Sequence, residues 1–135
     1  MDLVSQTYMI TSAFRSRRDY RDNFFDHKCA MRNYSYFNRR RHVVLEVEGI
    51  TQEWGNEKAI MIYDLTKEEA EIIARELKQE AYIYYNSKGL WELIHTKKKP
   101  PQSFNTLVIK PWADLLFDFA PNWTKLPNGL AFTIQ

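Results

Sequence analysis

The sequence contains little cysteine and little glycine. Among 135 residues there is one cysteine, Cys29, and there are only four glycines. A single cysteine excludes an intramolecular disulfide and makes a zinc site built on thiolates implausible. Four glycines, none in a Walker or dinucleotide pattern, argue against a nucleotide-binding loop. The cysteine usage fits a reducing compartment, so we expect a cytoplasmic protein.

Long apolar runs and a secretory leader are also missing. Nowhere do eighteen apolar residues follow one another, and the amino terminus has no basic stretch leading into an apolar one. We therefore expect no membrane as a partner. The length is typical of one domain, so we expect residues 1–135 to form a single unit.

The sequence also has little net charge. Nineteen basic and seventeen acidic residues leave a formal net charge of +2, which is too small to indicate nucleic acid as a partner. The basic residues form clusters in segments 15–21, 39–41 and 97–99. Each cluster is more typical of a solvated surface than of a binding patch, so nucleic acid is an unlikely partner on this count.

The histidines do not suggest a metal site. His27, His42 and His95 fall on three separate predicted elements, without the spacing of a ligand motif. Cys29 and His27 are two residues apart on a predicted helix and would point in different directions, which excludes them as a nucleophile and base. We expect neither a metal nor a cofactor.

Apolar periodicity predicts the order strand, helix, strand, strand, helix, strand. The clearest element is a helix over Lys67–Lys78, which begins with a capping box of Thr66 and Glu69. Another helix is predicted from about Asp22 to Phe37. The predicted strands cover residues 8–10, 42–48, 57–63, 81–85 and 90–95.

This order is typical of a split βαβ arrangement. It predicts an α+β, ferredoxin-like sandwich, with an antiparallel sheet and two main helices on one face. An irregular carboxyl-terminal extension is predicted from about residue 97, with short strands over 106–109 and 130–134 and a short helix over 111–119. Four Trp, eight Tyr and eight Phe are more than one small core needs, which favours an oligomer that hides the open sheet face.

Polar residues at the ends of predicted strands are the candidates for a site. Residues 7–16 form an apolar strand that leads into a turn with Ser12 and Arg15. Glu57 lies where a long connector enters an apolar strand, and Glu80 follows Gln79 at the junction of a helix and a strand. Taken alone, both carboxylates are as typical of ordinary solvated element ends as of a functional site.

The segment Tyr8 to Ser16, Tyr-x-x-x-Ser-Ala-Phe-Arg-Ser, resembles the amino-terminal signature of the bacteriophage enzymes that degrade S-adenosylmethionine (SAM). These enzymes were first regarded as hydrolases and are now understood as lyases. Shorter similarities follow in the same order along the chain: Gly49 with Glu53, Glu57 with Lys58, Gln79 with an acidic neighbour, and the closing residues 129–134.

The resemblance implies a fold, an assembly and a reaction. It implies a trimer of α/β sandwiches, similar to the nitrogen-regulatory GlnB-like trimers, with substrate bound between subunits in the cytoplasm of the host cell. In the family reaction the carboxylate of SAM attacks its own γ-carbon, which releases 5′-methylthioadenosine and leaves homoserine lactone. The loss of SAM counters host methylation and restriction. No metal, cofactor or protein nucleophile takes part.

The resemblance also implies roles for individual residues. Glu57 and Glu80 would be the catalytic carboxylates, and Gln79 would help Glu80 to orient the methionine end of SAM. Thr51 stands where the family has a tyrosine, and either Trp54 or an aromatic residue of another subunit is the candidate to present a ring to the sulfonium instead. Tyr8, Ser12 and Arg15 would shape the wall of the site. Two alternatives stay open: a non-catalytic trimeric GlnB-like protein that binds a regulatory ligand, and a small basic phage protein that binds nucleic acid.

Overall fold

The computed structural model describes residues 2–12, 42–51, 55–117 and 122–135. These residues contain nine β-strands, one α-helix and one short 3-10 helix. The strands are β1 (Tyr8–Ser12), β2 (Val44–Thr51), β3 (Gly55–Tyr63), β4 (Ala81–Tyr85), β5 (Trp91–His95), β6 (Gln102–Phe104), β7 (Leu107–Pro111), β8 (Asn122–Lys125) and β9 (Leu130–Ile134). The α-helix, α1, spans Lys67–Glu76, and the 3-10 helix spans Trp112–Phe117.

All nine strands belong to one sheet. Their order is β6-β5-β4-β1-β3-β2-β8-β9-β7, and every neighbouring pair is antiparallel. Strands β1 and β3 occupy the middle, where their pairing runs from Tyr8 opposite Tyr63 to Ser12 opposite Ala59. The apolar β1 and β3 therefore form the buried centre of the sheet.

The sheet curls strongly, because its two edge strands are close neighbours along the chain. Only Asn105 and Thr106 separate the end of β6 at one edge from the start of β7 at the other. Three Cα steps span at most about 11 Å, so a flat sheet of nine strands cannot satisfy this connection. The curled sheet encloses one of its own faces.

The enclosed face forms an aromatic core. Tyr8, Tyr63, Tyr85 and Trp91 pack here, with ring centroids 5.1 Å apart for Tyr8 and Tyr85 and 4.4 Å apart for Tyr85 and Trp91. The Trp91 Nε1–H donates to the Tyr8 hydroxyl over 2.8 Å, and that hydroxyl donates to the Leu3 carbonyl over 3.0 Å. Side chains from the carboxyl-terminal strands, including Phe132, Leu107 and Ile134, belong to the same cluster.

Helix α1 covers the other face. Its apolar stripe of Ala70, Ile73 and Ala74 is buried against β1, β3 and β4. At the amino end of the helix, the Thr66 Oγ1 accepts from the Glu69 N–H over 3.1 Å, and a Glu69 carboxylate oxygen accepts from the Thr66 N–H over 3.0 Å. The capping box predicted from the sequence is confirmed.

Replacing Thr66 with alanine should lower the free energy of unfolding by about 1 kcal/mol, because the Glu69 N–H loses its partner. Urea denaturation followed by circular dichroism measures this loss. Thr106→Ala is the matched control, since Thr106 is exposed and its hydroxyl donates to the neighbouring Asn105 side chain. Equal losses in the two variants would contradict a capping role for Thr66.

The prediction of a ferredoxin-like, GlnB-like sandwich with two main helices is wrong. The protein is mostly a curled antiparallel sheet of nine strands, with one α-helix in the described part of the chain. The four strands that the prediction used lie side by side as β4-β1-β3-β2, but β5 and β6 extend one edge and β8, β9 and β7 extend the other. The helix predicted over residues 22–37 lies outside the described residues.

The region after residue 97 contributes more structure than its sequence suggests. It supplies four of the nine strands, β6 to β9, and three of them continue the sheet beyond β2. The closing strand predicted over residues 130–134 is confirmed. No helix within the described residues is both long enough and apolar enough to cross a membrane.

Candidate functional site

The antiparallel register brings several of the predicted site residues to one end of the sheet. Ser12 ends β1 opposite Ala59, and Glu57 lies two residues before Ala59 at the start of β3. Thr51 ends β2 at the same end of the sheet, where it pairs with Gly55. We call this end the Ser12 end of the sheet.

The junction of α1 and β4 reaches the same end. Thr11 pairs with Tyr82, so Glu80 lies two residues beyond this pair, past the start of β4. Only β1 separates β3 from β4, and neighbouring strands are about 4.8 Å apart. The backbones of Glu57 and Glu80 therefore lie on the order of 10 Å apart at the Ser12 end.

Hydrogen bonds hold the junction of α1 and β4 in place. The Thr96 N–H donates to the Glu80 carbonyl over 3.0 Å, and the Thr96 hydroxyl donates to the Gln79 carbonyl over 2.8 Å. The Gln79 N–H donates to the Ala74 carbonyl at the end of α1 over 2.9 Å. Gln79 is 5% exposed, whereas Glu80 is exposed, so of the two neighbours the carboxylate is the one that solvent or a ligand can reach.

Thr96 is a residue that the sequence interpretation missed. Its position follows from the pairing of β4 with β5, in which Ala81 lies opposite His95. The strands over residues 81–85 and 90–95 were predicted, and extending their pairing by one pair beyond Ala81 and His95 places Thr96 beside Glu80. The pairing register of the two strands, rather than a sequence motif, therefore indicates that Thr96 lies beside Glu80.

Replacing Thr96 with valine should destabilise the protein by about 1 kcal/mol, because the Gln79 carbonyl loses its hydroxyl donor while the side-chain volume is kept. Thr96→Ser keeps the hydroxyl and should be close to wild type. Urea titrations of both variants measure the difference. Equal stability of the valine and serine variants would show that the hydroxyl contributes nothing to this junction.

The structure buries Tyr8 completely, at the far end of β1 from Ser12. Its hydroxyl bonds to Trp91 and to the Leu3 carbonyl, and burial raises the pKa of Tyr8 well above its usual range. Burial likewise raises the pKa of Tyr63 to about 12. Both rings pack in the enclosed aromatic core, with centroids 5.3 Å apart.

Two of the predicted site residues, Arg15 and Trp54, lie outside the described residues. Ser12, Thr51 and Glu57 are described by backbone position, and this position brings all three to the Ser12 end. Gln79 and Glu80 lie at the same end, where Thr96 donates hydrogen bonds to their carbonyls. Of the predicted set that is described, only Tyr8 lies at the other end of its strand.

His42 and His95 lie within the described ranges, and His27 lies outside them. Within the described ranges, no group of three or more His, Cys, Asp or Glu side chains is close enough together to hold a metal ion. His42 Nε2 lies 3.8 Å from a Glu69 carboxylate oxygen at the start of α1, and His95 lies on β5.

The comparisons with known proteins give no assignment. No family model matches the chain, and no curated protein matches it. The interpretation of the site therefore depends on the Tyr8–Ser16 signature and on the register that groups Ser12, Glu57 and Glu80.

Proposed function

We propose that the chain is a SAM lyase that converts SAM to 5′-methylthioadenosine and homoserine lactone. One observation carries the proposal: three separate segments that resemble the phage enzymes, at Ser12, Glu57 and Gln79–Glu80, meet at one end of the sheet. In the sequence these segments are tens of residues apart. Their meeting is what a shared substrate site requires.

The charge of the substrate suits two carboxylates. SAM carries a sulfonium, an ammonium and a carboxylate, so its net charge is positive. A glutamate that accepts a hydrogen bond from the ammonium forms a charge-assisted contact, which is stronger than a neutral one. Glu57 and Glu80, whose backbones lie on the order of 10 Å apart, would each hold one point of the substrate.

The reaction needs positioning more than acid–base chemistry. A carboxylate oxygen of SAM forms a bond to its γ-carbon, the bond from that carbon to sulfur breaks, and the electron pair stays on sulfur as a neutral thioether. No proton moves. The protein must fold the substrate so that oxygen, carbon and sulfur lie in line, and such positioning accounts for large rate effects. The buried Gln79 and the hydrogen-bonded junction at Thr96 would give Glu80 a fixed backbone for this task.

The assembly of the active form is a separate part of the proposal. The resemblance implies a trimer with sites between subunits, but the open sheet face that favoured an oligomer is enclosed by the curled sheet itself. The aromatic residues Tyr8, Tyr63, Tyr85 and Trp91 are accounted for within one chain. Light scattering coupled to gel filtration measures the oligomeric state.

The test is product formation from SAM by the purified full chain. We expect methylthioadenosine to accumulate, as measured by liquid chromatography, with one homoserine lactone for each molecule formed. Calorimetric binding of SAM without turnover would overturn the lyase proposal in favour of a ligand-binding protein. If SAM is neither bound nor converted, both the lyase proposal and the ligand-binding alternative are wrong.

A further inference from the structure

The lysine run at residues 97–99 lies beside another lysine that is distant in sequence. Thr96 donates hydrogen bonds to the carbonyls of Gln79 and Glu80. Lys97 is the residue after Thr96, and Lys78 is the residue before Gln79, so these two lysines lie near each other at this junction. All four lysines, Lys78, Lys97, Lys98 and Lys99, are exposed. We call these four residues the lysine corner.

The base of the lysine corner is held in place. Arg75 donates from Nη2 to the Thr96 carbonyl over 3.0 Å, and the Lys78 N–H donates to the Arg75 carbonyl over 3.0 Å. Pro100 and Pro101 follow the run and restrict its backbone. The ammonium groups therefore extend from a constrained backbone, which lowers the entropy lost when they bind a partner.

The lysines of the corner differ from several others in the protein. Lys67 pairs with Glu92 at 3.3 Å, and Lys125 lies 3.9 Å from Glu48 and over the Trp112 ring. No ion pair engages a lysine of the corner in the part of the chain that the structure describes. The nearby acidic residues along the chain are Glu71, which pairs with Arg75, and Glu76 and Glu80.

We propose that the lysine corner binds the phosphate backbone of nucleic acid without regard to sequence. Exposed ammonium groups on a fixed base match a polyanion. Apart from the rings of Pro100 and Pro101, the segment 96–101 has only threonine and lysine side chains, so it has no aromatic or large aliphatic residue to anchor it in a lipid surface or at the centre of a protein interface. This binding activity goes beyond lyase activity and does not depend on it.

The experiment is fluorescence anisotropy of the full chain with a labelled duplex of about 20 base pairs. With about three phosphate contacts, the affinity should fall roughly 40-fold between about 50 and about 200 mM salt. K97A/K98A/K99A should weaken binding at least about tenfold at the lower salt and should flatten the salt dependence, since each lost contact lowers the slope by about 0.9.

K67A/K88A/K110A is the matched control, because it also removes three positive charges, but at positions outside the lysine corner. It should bind within about threefold of wild type, since net charge alone is not the source of the affinity. Equal loss in both triple variants, or no binding by wild type, would overturn the proposal, as would binding to vesicles that contain phosphatidylserine without binding to the duplex. Turnover of SAM is measured on the same samples, so failure of one proposal is distinguishable from failure of the other.

Discussion

Replacing Trp91 with alanine should lower the free energy of unfolding by about 3–5 kcal/mol, the range for removing a fully buried aromatic side chain. Trp91 is 2% exposed, stacks on Tyr85 at 4.4 Å and donates its N–H to the Tyr8 hydroxyl. The variant loses packing and this hydrogen bond together. Urea denaturation of wild type and variant measures the difference.

Trp112→Ala is the matched control, since Trp112 is half-buried and its described ring contact is with the Lys125 ammonium at 4.6 Å. We expect it to cost less than about 2 kcal/mol. If Trp91→Ala does not fold, Trp91→Phe replaces it: a smaller aromatic ring remains and the N–H is lost, so the free energy of unfolding should fall by less than in the alanine variant. Equal costs at positions 91 and 112 would contradict an enclosed aromatic face.

Local patterns were sufficient to predict several elements of the fold. The strand at residues 81–85, the capping box at Thr66 and the closing strand at 130–134 were predicted from short-range signals and are confirmed. Such signals describe segments of a few residues. They do not state how many strands join one sheet, and this is where the ferredoxin-like prediction was wrong.

The error has a specific physical cause. The strands β6, β7 and β8 are only three to five residues long, and Pro111 ends β7, so their periodicity is weak. What fixes them is pairing across the sheet: Gly49 with Thr124, and Phe132 with both Thr124 and Ile109. Gly49 and Thr124 are far apart in the chain, as are Ile109 and Phe132, and no local pattern encodes either pairing.

The candidate site was predictable in part. Glu57 and Glu80 were chosen because each lies at a junction of elements and resembles a family position, and the register then brings their backbones to one end of the sheet. Thr96 was not predicted, because its contacts with Gln79 and Glu80 depend on the register of β4 and β5. The nearness of Lys78 to Lys97 was missed for the same reason.

Glu57→Gln should lower the turnover of SAM at least about 100-fold. The variant keeps the size of the side chain but removes the charge that would hold the substrate, and a tenfold loss corresponds to about 1.4 kcal/mol in the barrier. Loss of a hydrogen bond to a charged group accounts for a change of this size. The rate of methylthioadenosine formation measures it.

Glu46→Gln serves as the control for this substitution. Glu46 is an exposed residue of β2 opposite Ile60, so the same chemical change occurs on a neighbouring strand away from the Ser12 end. Its turnover should match wild type. If Glu57→Gln retains wild-type turnover, or if Glu46→Gln loses as much, the assignment of Glu57 to the substrate site is wrong. Matching circular dichroism spectra exclude unfolding as the cause.

The central claim is that the substrate's own carboxylate displaces the thioether. It is tested most directly by reacting SAM with the wild-type chain in ¹⁸O-labelled water and locating the label in the homoserine product by mass spectrometry. The account predicts an unlabelled γ-oxygen, with label only at the carboxyl group once the lactone has opened, and a rate well above that of Glu57→Gln. A labelled γ-oxygen would show that water attacks the γ-carbon, and product formation no faster than in SAM incubated without protein would show that the protein does not cleave SAM; either result would contradict the account.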